Sequence, residues 1–379
     1  MLSLPLLAAA LALPAFAASS LTAQELLAND ALAQILADGA PILGIDGGCD
    51  RSVNTCDWMR NFPDSTKLVH MNLPGTHDSA TWNYTQATQD SLIRYTGTDL
   101  PPAEIFQCQD RSLFDALNLG IRVFDLRFAY NPGNDTLGFH HSQALLAPDT
   151  TVEDVWFGFY NWLDQHPTEA VLVSLNYEGG TGTPRDLKLE QHIYNIMTSP
   201  LAQRYWVQTS GSLGTLGEAR GKLTFLQRYD YEFLPATESN RIGIQLSPEQ
   251  WTDNTPIIQI LYNAYDGPNC DYYEMDGLPI GSGYAENIQW KFNATTAHIE
   301  NATLFNPDQL YISFASAEHD EDVPPETPRI IALGNGTDTP GMNQKLLPWL
   351  QERKGKRFGI IMLDFFASVP GLVEAVIGL

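Results

Sequence analysis

At 379 residues with 44% apolar content, the chain can bury a substantial core, which excludes disorder as its resting state. A net charge of −24 repels phosphate backbones and gives no polybasic attraction to anionic lipid, so nucleic-acid binding is excluded. An anionic substrate would therefore need a local cationic pocket, and with only 17% of residues charged, each arginine near an apolar run is informative.

Leu2 to Ala17 is nearly all Leu, Ala and Pro without a charge, and Ala15-Phe16-Ala17 is a small-x-small cleavage pattern. Residues 1–18 therefore read as a secretory signal peptide, and a secreted protein is expected. Leu21, Leu26, Leu27, Leu32, Ile35 and Leu36 predict a helix over residues 19–40, ended by Gly39-Ala40-Pro41. Residues 41–66 are rich in Gly, Asp, Asn and Cys and read as a stapled loop, so residues 19–66 precede a catalytic unit over 67–379.

The four cysteines fit an oxidising compartment. Cys49 and Cys56 close a small loop, which leaves Cys108 to Cys270, although four cysteines allow three pairings. No C-x-x-C occurs, so a zinc site is not expected. Asn83, Asn134, Asn293, Asn301 and Asn335 each open an N-x-T sequon, as in a glycoprotein.

Apolar, β-rich runs then recur at residues 67–71, 121–128, 137–141, 170–175, 222–227, 257–262, 310–315 and 358–365. Helical patterns at residues 110–118, 151–165, 186–197, 285–299 and 342–353 fall between several of them. The second and third runs are joined by Asn131-Pro132-Gly133-Asn134, too short for a helix. Eight runs with intervening helices and no internal repeat predict an α/β fold, a single (β/α)8 TIM-type barrel with one irregular strand pair. An open doubly wound sheet is the alternative.

Polar residues gather at the C-terminal ends of these runs, the face on which such barrels build their sites. The stretch Asn72-Leu73-Pro74-Gly75-Thr76-His77-Asp78-Ser79 reads as a Pro-Gly turn after a first strand, presenting His77 and Asp78. The second run carries Arg122, Asp125 and Arg127, and the third ends in His140-His141. The fourth ends in Asn176-Tyr177-Glu178, the fifth in Arg228-Tyr229-Asp230, and the last in Asp364. Two imidazoles, arginines and carboxylates at one mouth suit phosphodiester chemistry. One histidine takes a proton from an attacking hydroxyl, the other protonates the leaving oxygen, and a guanidinium stabilises the developing charge. Taken singly, each has a plainer reading: His77 as a turn residue, Asp125 with Arg127 as an internal ion pair, Arg122 as structural. His70, His166, His192, His298 and His319 have no motif around them and read as solvated or core-packed.

The motifs L-P-G-T-H-D-S and G-I-R-V-F-D-L-R, the His-His pair, A-R-G-K-L-T-F-L-Q-R-Y and G-I-I-M-L-D-F-F occur in that order over about residues 67–366. Together they resemble the catalytic X region of the phosphatidylinositol-specific phospholipase C superfamily, most like its secreted, single-domain bacterial and fungal members. The resemblance implies a phosphodiesterase that forms a cyclic phosphate. His77 matches the general base, Asp364 the carboxylate orienting it, and His141 the general acid. Asp78 matches the aspartate assisting the acid, and Arg127 the arginine that stands in place of calcium in metal-independent members. Asp125 supports that arginine, while Arg228, Glu178 and Tyr262 match substrate-pocket positions. Two positions depart from the bacterial pattern: Asn176 stands where a lysine is found, and Ile260 where an inositol-binding aspartate is found. The implied enzyme is metal-free and monomeric and meets a phospholipid at a membrane surface. A metal-dependent glycerophosphodiesterase-like hydrolase, with calcium, and a catalytically silent head-group-binding barrel are the competing readings.

Overall fold

A computed structural model describes residues 21–50, 54–238, 240–252, 255–262, 269–274, 282–320 and 322–379. The expected signal peptide lies outside the described residues. Among the described residues eleven strands are found: β1 (Leu73–Thr76), β2 (Val123–Tyr130), β3 (Leu137–His141), β4 (Ala144–Leu145), β5 (Val171–Tyr177), β6 (Leu223–Gln227), β7 (Ile244–Gln245), β8 (Thr255–Leu261), β9 (Asn269–Glu274), β10 (Tyr311–Phe314) and β11 (Ile360–Leu363). They form a curled sheet in the order β7-β6-β5-β2-β1-β11-β10-β9-β8, parallel from β7 to β9, with β8 antiparallel on β9. Among the described residues no ladder joins β7 to β8, so the barrel does not close by hydrogen bonds there. The irregular pair expected from the Asn-Pro-Gly-Asn link is β2 and β3, an antiparallel hairpin with β4 folded back on β3.

The pleat of β2 sets the logic of the molecule. Phe124, Leu126 and Phe128 are wholly buried, and Phe124 packs on Phe159 of the helix Val152–Gln165 with ring centroids 5.2 Å apart. Alternate residues Asp125 and Arg127 point to the other face, level with Ser174 and Asn176 of β5. The helix Val152–Gln165 begins where Thr151 and Asp154 form a reciprocal capping box, and it buries Val155, Trp156, Phe159, Trp162 and Leu163.

Three expectations are corrected. The first strand is not residues 67–71. Leu68–His70 is a 3-10 turn, and Leu73-Pro74-Gly75-Thr76 is itself the strand. Gly75 belongs there because a Cβ would lie 2.5 Å from Met362 Sδ and 2.9 Å from Val123 Cβ on the flanking strands. The N-terminal helix runs over Ala23–Leu43, through Pro41, and stops at Gly44. Gly39 does not end it. It is a contact point, where a Cβ would meet Leu43 and Asp154.

The third correction is the Cys108–Cys270 pairing. Cys49–Cys56 is a disulfide, whereas Cys108 is a buried free thiol. The backbone register gives the reason. Cys108 O accepts from Phe365 N, just beyond the C-terminal end of β11. Asp271 pairs with Tyr311, and Ile312 with Ile360, so Cys270 is level with Phe358 at the opposite end of the sheet. Seven residues of strand separate the two levels, roughly 20 Å, beyond the ~7 Å a disulfide spans.

At the bottom of the barrel, Arg122 is wholly buried and bonds Glu169 Oε2 (2.7 Å) and the carbonyls of Leu117, Ile121 and Cys56. This ties the cysteine-stapled loop to β2, so Arg122 is structural. Among the sequon asparagines, Asn83, Asn293 and Asn335 are exposed, while Asn134 and Asn301 are half-buried. Asn335 is already engaged, accepting from the backbone N–H groups of Thr337, Asp338 and Thr339.

Candidate active site

His77 follows directly on β1, and its backbone N–H donates to Leu363 O, which fixes it against the end of β11. Its Nδ1 lies 3.0 Å from Asp364 Oδ1, so the two ends of the barrel motif, 287 residues apart, meet as a pair. Its Nε2 is 3.2 Å from Asp78 Oδ2 and 3.1 Å from an Arg127 terminal nitrogen. Burial opposes a charged ring, but the Asp78 and Asp364 carboxylates outweigh it and hold His77 well above its ordinary pKa. With Nδ1 donating to the Asp364 carboxylate, Nε2 faces the site between Asp78 and Arg127. Burial raises the pKa of Asp364 itself, against the lowering pull of His77.

Asp78 sits at the centre. Its backbone is left-handed (φ +40°), a conformation aspartate tolerates better than most residues. That turn carries its carboxylate back over the mouth. Oδ1 lies 2.6 Å from Arg127 Nε, and Oδ2 lies 3.2 Å from His77 Nε2 and 3.4 Å from His141 Nε2. One carboxylate oxygen thus stands between the two imidazoles. His141 Nδ1 donates to Phe106 O (2.9 Å), which directs Nε2 into the site.

His140, by contrast, is buried on the far side of the hairpin with Nε2 3.0 Å from Tyr130 O, and burial lowers its pKa to about 4. Strand alternation sends the two adjacent histidines to opposite faces.

A ring of charge surrounds the pair. Arg127 also reaches Glu178 Oε1 (3.5 Å), and Glu178 accepts from Ser142 N (2.5 Å), tying β2, β5 and the β3–β4 turn together. Burial raises the Glu178 pKa, against Arg127. Asp125 is fully buried and accepts from Ser174 Oγ and Arg228, both at 3.0 Å, while Asp78 N approaches its other oxygen at 3.4 Å. The Arg228 guanidinium lies 3.6 Å from the Trp251 ring centroid, and the Phe314 ring meets both Trp251 and His77 edge-on.

Of the residues expected from the sequence, His77, Asp78, Asp125, Arg127, His141, Glu178, Arg228 and Asp364 form this one connected network. Asn176 stands beside it, half-buried and level with Arg127. Tyr262 is buried just after β8, as is Ile260 within it. Sequence reasoning missed the segment 106–109. Phe106 O orients His141. Gln109 Nε2 donates to His77 O (2.7 Å) and Leu363 O (2.8 Å), and lies 3.5 Å from Asp364 Oδ1. The Cys108 thiol, its pKa driven well up by burial, lies close to His77 and Asp364. Three combinations here have metal-ligating geometry: His77 with Asp78 and Asp125, His77 with Cys108 and Asp364, and Asp78 with Cys108 and His141. The Arg127 guanidinium, in contact with Asp78, already places a positive charge among them.

Two histidines bridged by an aspartate and backed by arginines thus stand at the mouth of a curled, mostly parallel sheet. The chain is 25% identical over 316 residues to the 1-phosphatidylinositol phosphodiesterase of Listeria monocytogenes serovar 1/2a, covering 83% of this chain and 82% of that one. It is 22% identical over 267 residues to the protein of the same name from Staphylococcus aureus strain Newman, covering 69% and 74%. The fold matches the solved phosphatidylinositol-specific phospholipases C of S. aureus (TM-score 0.63, 18% identity, 86% and 97% covered) and L. monocytogenes (TM-score 0.58, 21% identity, 85% and 97% covered), which are TIM-type barrels. No family model matches the chain. By sequence and by fold, the proteins this chain resembles are thus bacterial phosphatidylinositol-specific phospholipases C, in agreement with the family the motifs resemble.

Proposed function

We propose that this barrel is a secreted, monomeric phosphodiesterase that cleaves a phosphatidylinositol-like lipid at a membrane surface to a cyclic phosphate and a released alcohol such as diacylglycerol. The placement of Asp78 Oδ2 between His77 Nε2 and His141 Nε2, with Arg127 against the same carboxylate, carries the reading. His77 Nε2 accepts the proton of the vicinal hydroxyl, whose oxygen bonds to phosphorus. The phosphorus–leaving-oxygen bond breaks, and His141 Nε2 gives that oxygen its proton. Asp364 holds the base in its tautomer. Arg127 stabilises charge developing on the phosphoryl oxygens, without a metal ion. Glu178 holds Arg127, the Asp125–Arg228 pair braces the pocket wall, and Asn176 and Tyr262 line it.

The head group is the open variable of the site. Ile260 is buried where an aspartate would grip inositol, and an unpartnered inositol hydroxyl against it would cost roughly 1–3 kcal/mol.

A 31P NMR assay against a phospholipid panel, with and without chelator, tests the reading. The expected result is a cyclic phosphate from phosphatidylinositol or a glycosylated relative, insensitive to chelator. His77→Ala and His141→Ala should each abolish turnover with an unchanged circular dichroism spectrum. Full activity in both variants would sink the assignment. Loss of activity on chelation would favour a metal-dependent hydrolase using the His77, Asp78 and Asp125 set.

A further inference from the structure

The carboxylate that meets the base stands just past the end of β11, at a sharp turn of the chain. Asp364 Oδ1 lies 3.0 Å from His77 Nδ1, and the next residue, Phe365, has φ +45° and ψ +40°. Glycine, asparagine and aspartate visit this left-handed region readily, whereas a bulky aromatic residue there is strained. Such a backbone persists only where its surroundings over-determine it. The Phe365 ring is 1% exposed, with the Arg329 guanidinium 5.1 Å from its centroid. Its N–H donates to Cys108 O at 3.0 Å.

Asn343 reaches both carbonyls that flank this turn. It is wholly buried in the first turn of the helix Met342–Glu352. Its Nδ2 donates to Asp364 O at 2.8 Å and lies 3.5 Å from Phe365 O. Two acceptors on one side set which end of the amide faces them. Its Oδ1 is buried and accepts no hydrogen bond from the described residues. A buried amide engaged at its donor end alone adds little net stability, so its contribution is to geometry. The start of that helix is closely seated. A Cβ on Gly341 would lie 2.3 Å from Gly334 N and 2.4 Å from Ala332 O, so it meets the end of the helix Pro328–Leu333 backbone to backbone.

Gln109 and the buried Lys291 act on the carboxylate of Asp364, Gln109 from 3.5 Å and Lys291 through its charge. Asn343 acts instead on the backbone that carries it. We propose that Asn343 is a positioning residue for the general base: by holding the left-handed turn at Phe365, it keeps Asp364 on His77 Nδ1. Its effect on rate rests on the phosphodiesterase reading, whereas its effect on the His77–Asp364 pair does not.

Asn343→Ala removes the amide without adding bulk. It should lower kcat roughly ten- to hundredfold with KM little changed, since a small misplacement at the base is costly. Proton NMR of the same protein without substrate should show the low-field His77 Nδ1–H resonance of the wild type weakened or lost. Phe365→Gly lets the turn form without strain. In that background Asn343→Ala should lower kcat less than about threefold, a coupling that a merely structural residue would not show. Should Asn343→Ala fail to fold, Asn343→Asp keeps the shape and sets an oxygen against the two carbonyls. Failure of both to fold would mark Asn343 as structural and overturn the proposal. An unchanged His77 resonance, or equal losses of kcat in both backgrounds, would overturn it too. A wild type that cleaves no phosphodiester would overturn the phosphodiesterase reading alone, and the resonance would still decide the positioning role.

Discussion

Asp78 shows how much one residue's backbone can decide. At φ +40° its carboxylate turns over the mouth and meets both imidazoles and a guanidinium, which an extended conformation would not bring together. The sequence marked His77, Asp78, His141 and Asp364 because they stand in motifs at run ends. Gln109 carried no such mark, being a polar residue in a loop without periodicity. Yet its one amide bonds the backbone at His77 and Leu363, the residues that bring base and orienter together. Gln109→Leu should therefore lower kcat roughly tenfold or more with little change in KM, since a small misplacement of a general base is costly. The pH–rate profile should also shift, because Asp364 loses a nearby donor. Steady-state kinetics across pH would show this, and an unchanged kcat would refute the positioning role.

Among the elements, β1 is the instructive case. Pro-Gly is ordinarily turn chemistry, and the sequence alone favours that reading. Here the pair is a strand because both neighbours press on it. Gly75 admits Met362 and Val123 to distances that no Cβ would permit. Gly75→Ala should destabilise the fold by about 1–3 kcal/mol through overpacking, measured as a lower urea midpoint with an unchanged slope. An unshifted midpoint would mean that β1 can move aside. The long apolar runs of β2, β3, β5, β6 and β11 were legible with boundaries off by a few residues. By contrast, β4 and β7 have two residues each, too short for a period to register, and β9 reads Asn-Cys-Asp-Tyr-Tyr-Glu, without clean alternation.

Across the whole molecule, burial of histidines ties stability to pH. His140 and His298 sit in different parts of the core, each with a pKa lowered by burial to about 4. The unfolded chain binds these protons from about pH 6.5 downward, so stability is lost as pH falls from there towards 4. Each group contributes on the order of 3 kcal/mol across that window. His77, raised rather than lowered, has the opposite sign: its contribution is present below about pH 6.5 and fades as pH rises through its folded pKa. Melting temperature should thus fall between pH 6.5 and 4, and His140→Gln or His298→Gln should flatten the slope. A wild-type slope in both variants would place the acid sensitivity elsewhere. The alternation of apolar and polar residues, and the order of the motifs, lie in the sequence, since side-chain period and chain order are local properties. They determined the barrel, its mouth and the chemical identity of the site. That Cys108 and Cys270 lie at opposite ends of the sheet, and that Gln109 spans two strand ends, were decided only by tertiary structure. These depend on register and backbone turns that bring distant residues together, and no local pattern encodes that distance.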